Sequence, residues 1–458
     1  MNLTFYGGAK SVTGSNYVLE SESPASAKAT AGKHKIMVDC GMQQGSHFAE
    51  KKNFEPFPYE PSEIEAVFVT HAHIDHIGLL PKLFKGGFKG RVYSTPATRD
   101  FAELMLIDSE HLLSKEAERE GKPPLYNTED VEKLMKVWEG VEYHSPINVS
   151  VFNIELFDAG HILGSAIVRV EAEGKTVVFS GDLGNSPAPI IQPTEKLSSA
   201  DYCLIESTYG NRLHEGLGDR QRDLESAIED TVRDGGVLMI PAFALERTQD
   251  ILFHLNELFE KGRVPKVPVF IDSPLAIKLT AIYRKYENHF NKEVLKLERD
   301  GDDIFNFPGL RFTLTTEQSK EINNVPAPKI IMAGSGMSNG GRILHHEMRY
   351  LSDPKSAILF VGYQTVGSMG RQILNGAKSV RIFGEEVPVR CKVKEISAYS
   401  AHADQGQLLD WLKPLRLSLK KVFVVQGEEG ASEVLAAKIR DNYAIEAVVP
   451  EAGDKVVL

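Results

Sequence analysis

The stretch THAHIDHIG, residues 70–78, decides how the rest of this 458-residue chain is read. It closes the apolar run AVFVT (66–70), which has the β-branched and aromatic composition of a short buried strand. A strand ending in a tight loop throws side chains outward at its tip. His71, His73, Asp75 and His76 can therefore converge on one small volume. Three imidazoles and a carboxylate suit a borderline divalent ion such as zinc, with ligands at about 2.0–2.2 Å. A lone histidine is usually a surface or satisfied core residue. In a chain with 14 His, however, a chance HxHxDH is on the order of one in a thousand. So short a segment cannot complete two coordination spheres, and the missing ligands must come from other strand ends. His161 in FDAGHILGS and Asp182 in VVFSGDLGN both follow apolar runs and sit beside glycine, which permits close backbone approach.

Strand signals flank this segment on both sides. LTFYG (3–7), NYVLE (16–20) and KIMVD (35–39) precede it, and VSVFNIELF (149–157), AIVRVEA (166–172), TVVFSGD (176–182) and DYCLIEST (201–208) follow. SESPASAKATAGKHK (21–35) reads as a flexible hairpin loop. Helical spacing covers 97–118 and 127–138, with Thr128, Glu129 and Asp130 supplying capping chemistry at the second. A strand-rich start overlaid by helices predicts stacked sheets covered by helices. After about residue 209 strands and helices alternate: helix 222–236, strand VLMIPAFA (237–244), helix 246–260, strand VPVFIDS (267–273) and helix 275–290. KIIMAGSGM (329–337), a helix from about 340 and SAILFVGY (356–363) continue the series. That rhythm predicts a second domain with a parallel, doubly wound sheet. From about 385 strands return, followed by helix 404–412, strand KKVFVVQGE (420–428) and a last helix over 431–442.

Composition narrows the class. With 42% hydrophobic and 25% charged residues, the chain is neither disordered nor collagenous nor a coiled coil. No apolar run approaches the ~18 residues of a membrane helix, and MNLTFYGGAKSVTGS lacks a signal-peptide pattern. Three separate cysteines, Cys40, Cys203 and Cys391, predict a reducing cytoplasm and no disulfide scaffold. A net charge of −11 argues against a protein that coats itself with nucleic acid. It forbids nothing in one cleft, where metal ions can supply positive charge.

With Asp39 (IMVDCG), HAHIDH (71–76), His161 and Asp182 in place, the chain resembles the metallo-β-lactamase fold. The resemblance implies one metal held by His71, His73, His161 and Asp182, and a second by Asp75, His76 and the shared Asp182. Asp39 would orient the HxHxDH loop. Glu206 in LIESTYG and His402 in SAYSAHAD come later, with PAFALERTQ (241–249), DSPLA (272–276), AGSGMSNGGR (333–342) and FVGYQ (360–364). Together these are similar to the β-CASP branch, the RNA-cleaving metallohydrolases. The likeness runs nearly from Met1 to Leu458.

The resemblance implies an α/β fold, a metallo-β-lactamase αββα sandwich interrupted by an inserted domain. The sandwich would take residues 1–208 and a return segment, 385–458. The insertion would be a β-CASP domain over 209–384 with a parallel sheet flanked by helices. The resemblance also implies two Zn²⁺ sites, with Asp75, Asp182, Glu206 and His402 as the catalytic set. His402, oriented by Glu206, would protonate the 3′ leaving oxygen, which zinc cannot do. Ser335 and the GSGM amides (334–337) would hold an adjacent phosphate before a helix, and Arg247 and Arg342 would add charge-assisted bonds. The expected substrate is single-stranded RNA in a cleft between the domains, cleaved to 5′-phosphate and 3′-hydroxyl ends in the cytoplasm. A homodimer fits this picture and a membrane does not. Endonucleolytic and 5′→3′ exonucleolytic members share these motifs.

One position departs. The family's last motif carries histidine where FVVQGEEG has Gln426, and an amide oxygen is a weak ligand beside imidazole. The second site is therefore expected to be weaker, differently coordinated or filled only with substrate, with catalysis retained. Against the ribonuclease reading stand a non-cleaving RNA-binding homologue, a DNA-cleaving enzyme, and a lactam or thioester hydrolase that would not need residues 209–384.

Overall fold

The computed structural model describes residues 1–21, 33–45, 50–121, 123–214 and 220–458. The expected hairpin loop at 21–35 lies, apart from its ends, outside the described residues. The chain forms two compact units: 1–188 with 192–213 and 402–458, and 189–191 with 214–401.

The first unit contains two seven-stranded sheets. One runs Lys455–Val457, Asn2–Gly7, Asn16–Ser21, His34–Cys40, Ala66–Phe68, Arg91–Ser94, Trp138–Gly140. The other runs Glu446–Val448, Lys421–Val425, Tyr202–Glu206, Lys175–Phe179, Ala166–Ala172, Phe152–Asp158, Ile147–Val149. Period-two alternation turns Leu3, Phe5, Leu19, Ile36, Val38 and Phe68 inward, against Ile154, Leu156, Val168, Val170, Phe179 and Phe423 of the other sheet. On the far face of the second sheet, Ile167, Val178, Cys203, Ile205, Val422 and Val424 bury Leu408, Trp411 and Leu412 of helix Gln405–Leu412 and Leu435 and Ile439 of helix Glu429–Tyr443. The far face of the first sheet is buried as well, at Met37, Val67 and Val92, and helix Pro96–Glu120 packs on its edge strand Trp138–Gly140. The layers are helix, sheet, sheet, helix, as the αββα expectation requires.

The second unit is built on a six-stranded, all-parallel sheet in the order Leu310–Phe312, Val269–Ile271, Lys329–Ala333, Val237–Pro241, Ala357–Phe360, Lys392–Glu395. Helices join successive strands, and Ile343, Leu351 and Ile373 close over Val237, Met239, Ile331, Ile358 and Phe360. An antiparallel hairpin, Ser379–Ile382 with Glu385–Pro388, completes it. The strand Lys392–Glu395 pairs with Ala357–Phe360, so contacts place residues 385–401 with this unit, and the return to the first begins at His402. No helix among the described residues is long and apolar enough to cross a membrane.

Local boundaries shift for identifiable reasons. The cap of helix Thr128–Lys136 is Asn127, one residue before the expected Thr128, because Asn127 and Asp130 form a reciprocal capping box. The helix expected over 275–290 ends at Lys285 and is followed by a single tight turn, Glu287–His289.

A candidate metal centre at the strand tips

Four chain segments of the first unit build the centre. Past Ala66–Phe68, the Thr70 N–H leaves the sheet ladder and donates to Oδ1 of Asp39 at 2.8 Å. His73 then starts the one-turn helix Ile74–Ile77, which carries Asp75 and His76. The carbonyl of Asp75 accepts from Ser15 N–H at 2.9 Å, and a Cβ on Gly41 would lie 1.6 Å from that oxygen. Gly41 is thus required for the HxHxDH loop to dock. On the opposite side Gly184 N–H donates to Ala159 O at 2.9 Å, locking the loop of Asp182 onto the loop of His161. A Cβ at Gly184 would lie 1.7 Å from the Gly160 carbonyl oxygen.

The side chains meet where these loops meet. His71, His73, His161 and Asp182 each offer one ligand atom, all within 4.8 Å of one another. Nε2 of His71 lies 3.1 Å from Nδ1 of His73, and Nε2 of His161 lies 3.4 Å from it. Oδ2 of Asp182 stands 3.5 Å from His71 Nε2 and 3.6 Å from His161 Nε2. Its Oδ1 faces the other way, 3.5 Å from Nε2 of His76. Oδ2 of Asp75 is 3.9 Å from that same nitrogen. Burial and neighbouring His76 hold the His71 imidazole well below its usual pKa, in the neutral form that offers a lone pair. Burial pushes the Asp75 carboxyl up to about 6. Burial also acts to raise Asp182, but His76, His402 and His71 outweigh it and keep the carboxylate ionised. Three imidazole nitrogens and a carboxylate oxygen this close together are a donor set zinc accepts, so the residues fit such an ion.

A second cluster adjoins the first. Asp182, Glu206 and His402 also bring ligand atoms within 4.8 Å of one another. Nδ1 of His402 sits 3.2 and 3.3 Å from the two oxygens of Glu206, and its ring lies 4.7 Å from that of His161. Glu206 is buried at the end of Tyr202–Glu206 and accepts Leu183 N–H at 2.7 Å. Burial raises its pKa. Burial alone would lower that of His402, but Glu206 and Asp182 raise it to about 9. His402 is therefore an imidazolium at neutral pH, held beside the histidine cluster.

The other expected site residues are placed as follows. Asp39 accepts Nδ1 of His76 at 2.7 Å, the position an orienting carboxylate would take. Gln426, at the end of Lys421–Val425, places its amide nitrogen 2.6 Å from Asp182 Oδ1 and 3.1 Å from His76 Nε2. Ser335, Arg247 and Arg342 belong to the second unit. Arg247 is buried and paired with Glu246 at 3.1 Å and Asp250 at 3.6 Å. Arg342 donates to Asp272 at 2.7 Å and to the Thr313 carbonyl at 3.0 Å. Both guanidiniums pair with carboxylates of the second unit. Ser335 gives its N–H to Gly340 O, and its Oγ accepts Asn339 N–H, so the GSGM loop folds onto itself before helix Ile343–Tyr350. Sequence reasoning missed Thr70. Its hydroxyl donates to Asp39 at 2.8 Å and lies 3.1 Å from His71 Nδ1 and 3.2 Å from His76 Nδ1. Its one signal was a hydroxyl residue directly before the first histidine.

Comparison with known proteins places this geometry in a lineage. The metallo-beta-lactamase superfamily matches residues 29–202, the Beta-Casp domain 248–373, and a Zn-dependent metallo-hydrolase RNA specificity domain 386–450. Ribonuclease TTHA0252 of Thermus thermophilus is 39% identical over 94% of each chain. An RNase J-like protein of Methanocaldococcus jannaschii is 30% identical over 98% of each. Transcription termination factor FttA of Methanosarcina mazei is 32% identical over 97% of this chain and 70% of its own length. A crystal structure of a protein of unknown function from Enterococcus faecalis V583 shares the fold, with a TM-score of 0.54 at 13% identity, covering 100% of this chain and 99% of that one.

Proposed function

Since the chain belongs to the β-CASP branch of the metallo-β-lactamase superfamily, we propose that it cleaves single-stranded RNA with zinc held by His71, His73, His161 and Asp182. It is a metal-dependent RNA hydrolase. One observation carries the finer reading: a buried carboxylate, Glu206, holds the His402 imidazolium against a cluster of three histidines and Asp182. When bound, zinc supplies Lewis acidity, neutralising phosphate charge and making water a competent nucleophile at neutral pH. The chain's own residues do the rest. Asp182 and Asp75 orient the attacking water with their carboxylates. His402 delivers its proton to the 3′ leaving oxygen, and Glu206 steadies the imidazolium before transfer. The products carry 5′-phosphate and 3′-hydroxyl ends. The described cysteines are all unpaired and buried, which supports a reducing, cytoplasmic setting.

The test is incubation of end-labelled single-stranded RNA with the zinc-loaded protein and with His73→Ala. Cleavage that needs zinc and disappears in the variant is expected, whereas cleavage unaffected by His73→Ala would sink the assignment. The amide at Gln426 favours a second reading, a homologue that binds RNA without cutting it. Tight RNA binding with near-zero bound metal would select that reading, and a matched DNA oligonucleotide in the same assay tests the preference for RNA.

A further inference from the structure

We propose that this centre is built for one divalent ion, and that the carboxamide of Gln426 stands where a second would have to bind. The inference rests on the metal-centre reading above and concerns how many ions that centre takes. Asp182 divides its two oxygens. Oδ2 faces His71 and His161, at 3.5 and 3.6 Å, and completes the first site. An ion shared by Asp182 with Asp75 and His76 would have to bridge Oδ1 and His76 Nε2, which lie 3.5 Å apart. Nε2 of Gln426 already stands between the two ends of that gap, bonded to Oδ1 at 2.6 Å and 3.1 Å from His76 Nε2.

The Asp182 carboxylate fixes which end of the amide faces the gap. Nδ1 of His76 is held by Asp39 at 2.7 Å, which turns Nε2 toward the gap. Oδ1 of Asp182 is a carboxylate oxygen. It meets an N–H of the carboxamide, and the carbonyl end would meet it with repulsion. The amide nitrogen occupies the gap that a cation would need, without bringing charge.

The backbone holds Gln426 in place. Its N–H donates to Gly8 O at 2.6 Å, and its carbonyl accepts the Thr208 hydroxyl at 3.1 Å and Ser207 N–H at 3.3 Å. The residue is 2% exposed. A second ion can enter only by breaking the buried Gln426–Asp182 hydrogen bond, and the side chain it displaces has nothing better to offer than an amide oxygen.

The experiment counts metal on the full chain. Protein stripped with a chelator is reloaded with excess Zn²⁺, dialysed and analysed by atomic emission. About one equivalent is expected for the wild type and about two for Gln426→His, which replaces the donor amide with an imidazole ligand. Gln426→Glu, which offers a carboxylate oxygen, is a second route to about two equivalents should the histidine variant fold poorly. Two equivalents in the wild type, or one in both variants, would overturn the proposal. No ion in the wild type would overturn the metal-centre reading and this inference together. One ion without RNA cleavage on the same sample would leave this inference standing and remove the ribonuclease reading.

Discussion

The carboxylate of Asp39 accepts Nδ1 of His76 at 2.7 Å while its other oxygen takes the N–H of Thr70 at 2.8 Å. One buried side chain thus fixes both the start of the HxHxDH loop and the ring orientation of its last histidine. In Asp39→Asn an amide of the same shape keeps only one acceptor oxygen, so one of these donors loses its partner. The Thr70 that Asp39 holds lies 3.1 Å from Nδ1 of the ligand His71, and groups that orient ligating imidazoles typically control metal affinity by about 10–100-fold. Zinc affinity, measured by competition with a chromogenic chelator, should fall by about that factor while the far-ultraviolet spectrum stays native. Unchanged affinity would show that Asp39 acts on the loop alone.

A methyl group at Gly184 would stand 1.7 Å from the Gly160 carbonyl, with backbone rather than a flexible side chain in its way. Gly184→Ala should destabilise the protein by at least about 1–3 kcal/mol in urea unfolding and lower its bound zinc, because Asp182 and His161 ride on the two loops pushed apart. Gly430, inside helix Glu429–Tyr443, has nothing within reach of an added Cβ. Gly430→Ala should therefore leave zinc unchanged and stabilise by roughly 0.5–1 kcal/mol. Equal effects at the two glycines would defeat this account.

What could be read from the sequence follows a physical division. Ligand chemistry is local and unusual, so HAHIDH, His161 and Asp182 announce themselves, as does the strand–helix rhythm after residue 209. Where a strand stops is less legible. AVFVT leaves its sheet at Phe68 because the next polar groups turn to the site, with Thr70 N–H bonding a side chain instead of a neighbouring strand. The partners of the arginines are hidden for a different reason. Arg342 finds its carboxylate on Asp272, 70 residues away in the chain, and no local pattern reveals such a partner. The polar strand Lys392–Glu395 likewise gives no sign of which sheet it will join.

His402 and Glu206 should separate catalysis from metal binding. A positioned general acid contributes about 10²–10⁴-fold. His402→Ala should therefore reduce single-turnover RNA cleavage by roughly that range, with zinc content and RNA affinity close to wild type. Glu206→Gln keeps a hydrogen-bond acceptor for Nδ1 but removes the charge that raises the His402 pKa, so its loss should be smaller. Wild-type cleavage by His402→Ala would assign the acid elsewhere, and loss of zinc in that variant would make His402 a ligand.

The second unit carries its own titration. His254 is buried, with Nδ1 2.5 Å from the Tyr399 hydroxyl, and burial, reinforced by Arg220 and Lys261, pushes its pKa down to about 3. Its unfolded pKa is about 6.5, so between those values the unfolded chain binds the additional proton. Stability is then lost as pH falls below about 6.5, by about 2 kcal/mol at pH 5, and is unaffected by this group at higher pH. His254→Asn can still hydrogen bond to Tyr399 but does not titrate. Urea unfolding of both proteins between about pH 7.5 and about pH 5 should show the wild type losing more stability than the variant on acidification. Parallel losses would mean that His254 charges in the folded state as readily as in the unfolded chain.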